Sequence, residues 1–371
     1  MPALILPSSA EPHQGLYWDP EANNGQGARI TTHSMIKTFR RCPKQAEFKY
    51  VHRLKPKRLG SPLKRGTWVH ALLEAYHMGE DWKEVHRRYS NEFANLFDEE
   101  KDFYGDMPTE IYQIMQSYIW HYKNDPWEWI DAEFQLEAEL PDGTIYRGKV
   151  DSLIRNQFGL WLVDHKTHKT LPKLNFRLLD AQSALYLWAA RENGLNVRGF
   201  IWNYIRWKAP SQPKIVYKDT RLSDAACDTD FPTMYRTIKR YKADYPDTFK
   251  VRPQDVEKLK YLQTQRYEWG KPQTSEFFRR DVLEKSDEMI DRVVKAGIHT
   301  SLRLHDYDFT DPDFVERVVE RSCEFSCSYT DICAAELMGA NIRPLVKQNY
   351  IVGDPNDYYN DRAGDFEKEE R

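Results

Sequence analysis

The sequence predicts an α/β fold built on a small mixed sheet flanked by helices, and three observations carry that expectation. Glu133–Leu140, Tyr146–Ile154 and Leu160–Val163 read as consecutive strands, rich in β-branched and aromatic residues and joined by turns at Pro141-Asp142-Gly143 and Arg155-Asn156-Gln157-Phe158. Phe200–Lys208 reads as a further strand, with Phe200, Trp202 and Tyr204 on one face. Helix-period apolar stripes lie to either side, such as Ile111, Met115, Tyr118, Ile119 and Tyr122 before the strands and Leu178, Leu179, Leu185 and Ala189 between them.

Taken in order, residues 1–30 read as an N-terminal extension and 31–62 as a basic segment carrying Cys42. From Lys37 to Arg65 there are eleven Lys or Arg residues against one acid, Glu47. Many such charges only solvate a face, but this excess is suited to attracting phosphate, which makes Arg40, Arg41, Lys44, Lys57, Arg58 and Arg65 candidate DNA contacts. Residues 63–125 read as a helical lobe. Its helix over Thr67–Met78 places His70 beside the stripe of Trp68, Val69, Leu72, Leu73 and Tyr76, where a histidine more often packs than ligates. Residues 126–215 form the sheet-bearing core, in which the aromatics of Phe200–Lys208 read first as core packing and second as a stacking face for bases. Residues 216–320 read as mostly helical and charged, without an interpretable motif. Residues 321–345 hold a cysteine cluster, and 346–371 an acidic tail. Asp354–Arg371, with seven acids, three bases and few aliphatics, reads as disordered, able at most to compete with DNA for the basic stretch.

Composition excludes several classes. A chain 40% hydrophobic and 30% charged is that of a soluble protein, and no apolar run approaches the roughly 18 residues that cross a bilayer, so no membrane partner is expected. Five cysteines without a signal peptide point to a reducing compartment, the cytoplasm of a bacterium or a phage-infected cell. There is no phosphate-binding Gly-x-x-x-x-Gly-Lys-Ser/Thr, so any motor is a separate partner.

The chemistry concentrates in Gly148-Lys149-Val150-Asp151 and Asp164-His165-Lys166. Strand alternation puts Asp164 and Lys166 on one side and turns His165 away. Alone, Asp-x-Lys is most simply an exposed ion pair. Together with Asp151, it supplies hard oxygen ligands for Mg²⁺ or Mn²⁺ and an ammonium to hold a water or offset transition-state charge at phosphorus.

Four pieces in sequence, Gly66-x-x-x-His70-x-x-x-Glu74, Gly148-x-Val150-Asp151, Asp164-x-Lys166 and Gln182-x-x-x-Tyr186, resemble the RecB-like branch of the PD-(D/E)XK nuclease superfamily. The resemblance implies a restriction-endonuclease-like core in which His70, Asp151 and Asp164 hold Mg²⁺ or Mn²⁺, with the backbone carbonyl of His165 as a further ligand. It also implies that Lys166 assists water activation and that Gln182 and Tyr186 line the site and steady the lysine or the DNA backbone.

Cys323, Cys327 and Cys333 cluster late, far from Cys42 in Arg41-Cys42-Pro43. The resemblance extends to AddB-type and CRISPR-associated RecB-like nucleases, whose one early and three late cysteines hold a 4Fe-4S cluster, and so implies an iron-sulfur clasp uniting the two ends. Their late spacing is usually C-x2-C-x5-C, whereas this chain has C-x3-C-x5-C. From first principles four thiolates suit a structural zinc equally well, and buried free thiols remain the plain alternative, assigned to Cys227 alone.

The expected function is metal-dependent DNA hydrolysis, exonucleolytic on single-stranded ends as the resemblance implies, in recombination, repair or phage DNA metabolism. The alternatives are a non-catalytic DNA-binding scaffold for a helicase or recombinase, and a zinc-stabilised RNA-processing nuclease.

Overall fold

Burial along Ile145–Asn156 is nearly continuous, with every residue from Ile145 to Ile154 buried, because this strand has neighbours along both edges and layers on both faces. The computed structural model describes residues 18–353 apart from 21, 173, 174 and 219. Its main sheet has seven strands: β1 (Trp18–Asp19), β2 (Ala28–Thr31), β3 (Glu128–Glu139), β4 (Ile145–Asn156), β5 (Gly159–His168), β6 (Val197–Arg206) and β7 (Phe278–Leu283). The order is β1-β2-β4-β5-β6-β7, with β3 also on β4. The sheet is mixed: β2 with β4 and β5 with β6 are parallel, and the remaining pairs are antiparallel.

Helices α1 (His33–Arg41), α2 (Ser61–His77), α3 (Trp82–Ala94), α4 (Met107–His121), α5 (Ala181–Glu192), α6 (Phe231–Asp244) and α7 (Asp287–His305) surround it. Helices α5 and α7 share a core with Tyr146, Val150, Leu162, Phe200 and Trp202. A second core joins α2, α3 and α4 to Ile205 and Phe278 at the other side. Phe200, Trp202 and Tyr204 are fully buried, so their strand packs the core rather than stacking bases. Among the described residues no helix is long and apolar enough to cross a membrane.

Three strands of the main sheet went unseen in the sequence, among them the two-residue β1. Strand β2 is only four residues long. Strand β7 interrupts the region expected to be helical, and its Arg279-Arg280-Asp281 disguised it as surface. Arg280 is in fact fully buried, paired with Asp125 at 2.6 Å and flanked by the rings of Tyr122 and Trp127 at 3.7 and 3.9 Å.

The basic segment also differs from expectation, because it clasps the C-terminal part of the chain. Lys44 is fully buried, pairing with Glu47 at 2.7 Å and Glu336 at 2.6 Å and donating to the Pro312 carbonyl. Leu54–Pro56 pairs with Tyr350–Val352 as a two-stranded sheet over a core of Phe48, Tyr329, Ile332, Val346 and Tyr350. Lys44 and Arg65, the latter buried against Glu110 and donating to the Trp207 carbonyl, are therefore excluded as DNA contacts by their burial. The other four candidates are engaged within the chain. Arg40 donates to Thr300 and the Ala296 carbonyl, Arg41 to Ser326 and the Ser322 carbonyl, and Lys57 to the Lys347 carbonyl, while Arg58 lies on the Phe103 ring. The acidic tail 354–371 lies outside the described residues.

Removing Lys44 leaves the buried Glu47 with only His52, at 3.3 Å, beside it. Lys44→Ala is expected to cost about 3–5 kcal/mol in urea denaturation; a change below about 1 kcal/mol, the scale of an exposed pair, would show that the buried ion pair does not hold the clasp.

Candidate metal centre

The centre is assembled where β3, β4 and β5 meet α2. His70, in the third turn of α2, turns its Nδ1 toward Asp151 of β4, 3.4 Å from Oδ2. Glu133 of β3 completes the group: the ligand atoms of His70, Glu133 and Asp151 all lie within 4.8 Å of one another. Among the described residues this is the one group of three or more such side chains able to share an ion. One imidazole and two carboxylates suit Mn²⁺ or Mg²⁺ by donor type.

Glu133 belongs to the strand anticipated from the sequence but carried no sign of a site role. Its backbone is in the left-handed region, φ +52°, and the β3–β4 pairing runs from Ala132 opposite Ser152 to Phe134 opposite Val150 without engaging it. A left-handed non-glycine in a strand costs of order 1–3 kcal/mol, and here it coincides with a carboxylate brought to the site. Glu133 also pairs with buried Lys149 at 2.9 Å.

Asp164 and Lys166 are placed as strand alternation requires. Lys166 Nζ lies 2.5 Å from Asp164 Oδ2 and remains partly exposed, while His165 faces the opposite side against Asn203, stacked near His77 and Trp129. The backbone N–H of His165 donates to Asp151 Oδ2 at 2.6 Å, which ties the two acidic strands together. Gln182, at the start of α5, donates to Asp164 Oδ1 at 2.9 Å and to the Tyr186 hydroxyl at 3.2 Å. The glutamine thus holds the acid rather than the lysine. Gly148 makes room for Tyr186: a Cβ there would stand 2.7 Å from the ring.

These environments push the carboxylates apart. Burial favours protonated Asp151, but the opposing charge of His70, its hydrogen bond and then the charge of Lys166 hold it well below the usual carboxylate range. Asp164 is raised to about 7 by burial and by Asp151, against the pull of Lys166. Glu133 is raised by burial and Asp151. Glu74, one turn after His70, is raised to about 7 by burial and then Glu133. Burial disfavours the His70 cation, but Asp151 outweighs it and the net shift is upward. His165 is lowered to about 3 by burial, so it is neutral.

Cys42, Cys323, Cys327 and Cys333 are partly buried free thiols away from this centre, at the clasp. Arg41 reaches Ser322 and Ser326, and Thr330 donates to the carbonyls of both Cys323 and Cys327. Cys42 is close enough to Cys333 to add to the upward shift that burial gives that thiol.

Residues 31–334 match the profile of the PD-(D/E)XK nuclease superfamily. No curated protein sequence matches the chain. Among solved structures, that of SSO0001 is 11% identical, covering 83% of this chain and 87% of its own, at a TM-score of 0.29. A protein from Eubacterium rectale, named only provisionally as an exonuclease, is 13% identical over 80% of this chain and 93% of its own, at a TM-score of 0.33.

The Asp164 shift has a measurable sign. An unfolded chain releases this proton near the ordinary 3.8, whereas the folded chain keeps it to about 7, so the group's contribution to stability falls as pH rises across that window. In metal-free protein, urea denaturation from about pH 4 to 8 is expected to show Asp164→Asn losing less stability across the window than the parent; equal slopes would assign the pH dependence elsewhere.

Proposed function

The chain belongs to the PD-(D/E)XK nuclease superfamily, and from that premise we propose that it is a metal-dependent deoxyribonuclease acting from single-stranded ends. The observation that carries this reading is the convergence of His70, Glu133 and Asp151 beside the Asp164–Lys166 pair. His70, Glu133 and Asp151 would hold a Mg²⁺ or Mn²⁺ ion, with Asp164 and the His165 carbonyl at its margin. When bound, such an ion supplies Lewis-acid charge to phosphate oxygens and lowers the pKa of a water.

The remaining work falls to the chain's own groups. Lys166, partly exposed and aimed by Asp164, donates to the attacking water or to a non-bridging phosphate oxygen. Gln182 fixes the Asp164 carboxyl that aims it, and Tyr186 fixes the glutamine. His165 takes no proton because burial keeps it neutral; its backbone N–H anchors Asp151 instead.

Cys42, Cys323, Cys327 and Cys333 are assigned to a 4Fe-4S cluster with a structural role, tightening a clasp that buried ion pairs and a two-stranded sheet already close. The support is the convergence of these distant segments through Arg41, with Thr330 ordering the late cysteine segment. Action alongside a separate helicase or recombinase suits a nuclease without a motor of its own.

With end-labelled single-stranded DNA and Mn²⁺, the protein is expected to shorten the strand and EDTA to stop it. Asp151→Ala is expected to lose at least about a thousandfold in rate while keeping DNA binding, and Lys166→Met about a hundredfold. Cleavage by Asp151→Ala at the parent rate would refute the assigned centre, and DNA binding without any cleavage would make the protein a scaffold. Anaerobic purification is expected to give about four irons and matching sulfide per chain; zinc alone would replace the cluster.

A further inference from the structure

Several cations of the basic segment are engaged by the clasp, which directs attention to the other basic surfaces of the chain as holders of a nucleic-acid substrate. Helix α6, in the region whose sequence offered no motif, carries Arg236, Lys239, Arg240 and Lys242 against one acid, Asp244. Phe231, Tyr235 and Lys239 recur every four residues and so form one stripe. The rings along it continue a ladder begun on α4: Trp120 lies on Phe231, with centroids 5.0 Å apart and planes at 18°, and Phe231 lies on Tyr235 at 5.8 Å and 9°. Arg266 closes the inner end over Trp120 at 5.4 Å. The outer end is open: Tyr235 is 45% exposed, and beyond Phe231 the Lys239 ammonium lies near its ring, at 5.5 Å.

Beside the ladder is a cleft of about 270 Å³ lined by Gln113, Gln212, Thr233, Arg236, Thr237 and Arg240, none of them acidic. Arg236 touches Gln116 and the Pro232 carbonyl but is exposed. Arg240 is exposed, with no hydrogen bond or ion pair among the described residues and only the Tyr241 ring near it. Thr233, 4% exposed, lines the cleft with its hydroxyl unpartnered. The cleft is smaller than the roughly 300–1,000 Å³ of a small-molecule pocket but has room for a phosphate and its sugar.

We propose that this surface binds single-stranded nucleic acid, a base stacking on Tyr235 to extend the ladder and a backbone phosphate entering the cleft between Arg236 and Arg240. A base at that end takes the place of Lys239, whose ammonium then meets the next phosphate. Flat rings accept any base, and guanidinium groups with a hydroxyl accept any phosphate, so binding is independent of sequence and requires unpaired bases. The surface and the metal centre share helix α4 on opposite sides: Tyr118, two residues before Trp120, turns the other way and bonds Asn203, the neighbour of His165. The binding does not rest on the nuclease reading.

The test is fluorescence anisotropy with a labelled oligothymidylate of roughly 20 nucleotides in EDTA, where cleavage cannot interfere. Tyr235→Ala is expected to weaken binding roughly tenfold with little effect on duplex DNA of the same length. Arg236→Ala with Arg240→Ala is expected to reduce the slope of log affinity against log salt by about 0.7, the loss of one neutralised phosphate. All three side chains are exposed, and unchanged melting temperatures would exclude unfolding as the cause. Oligothymidylate affinity within twofold of the parent for both variants would overturn the proposal and leave the ladder as a packing seam. A parent protein that binds the strand through these residues but never cuts it would overturn the nuclease reading alone.

Discussion

Four carboxylates, Glu74, Glu133, Asp151 and Asp164, are drawn out of water into one crevice, and their solvation loss and mutual repulsion constrain everything built around them. Three of them are offset by direct partners. Asp151 has His70 and the His165 N–H, Glu133 has Lys149, and Asp164 has Lys166 and Gln182. These partners come from two strands and two helices, so the layers on both faces of the sheet must be in register for the charges to be tolerated. The arrangement leaves Asp151 strongly acidic and its neighbours ready to take up protons, a division of labour that a single exposed carboxylate cannot provide.

The same principle governs the clasp. Lys44 pairs with Glu47 three residues on and with Glu336 across most of the chain in sequence, and its complete burial makes the pairing obligatory. A segment that is eleven parts basic to one part acidic looked like a phosphate-binding surface, yet Arg40, Arg41, Lys44 and Lys57 satisfy carbonyls, hydroxyls and a carboxylate of residues 296–347. Arg280 makes the point once more within the sheet, where Asp125 and a set of aromatic faces replace water around a strand-borne cation. Charge density along a sequence therefore says that cations will be needed, not whether solvent, DNA or the fold will receive them.

What the sequence by itself determined were the features set by local geometry. The strands β3, β4, β5 and β6 follow from alternation and turn residues, and with them the common side of Asp164 and Lys166 and the reversal of His165. The four-residue spacing of Gln182 and Tyr186 on α5 puts both within reach of one another, as found at 3.2 Å. Only the tertiary structure decided who meets whom. Glu133 enters the centre through a left-handed backbone angle that no residue type announces, Gln182 serves Asp164 rather than Lys166, and the basic segment turns inward to the clasp. The physical reason is that strand and helix periods act over a few residues, whereas the burial that makes a charge seek a partner depends on segments hundreds of residues apart.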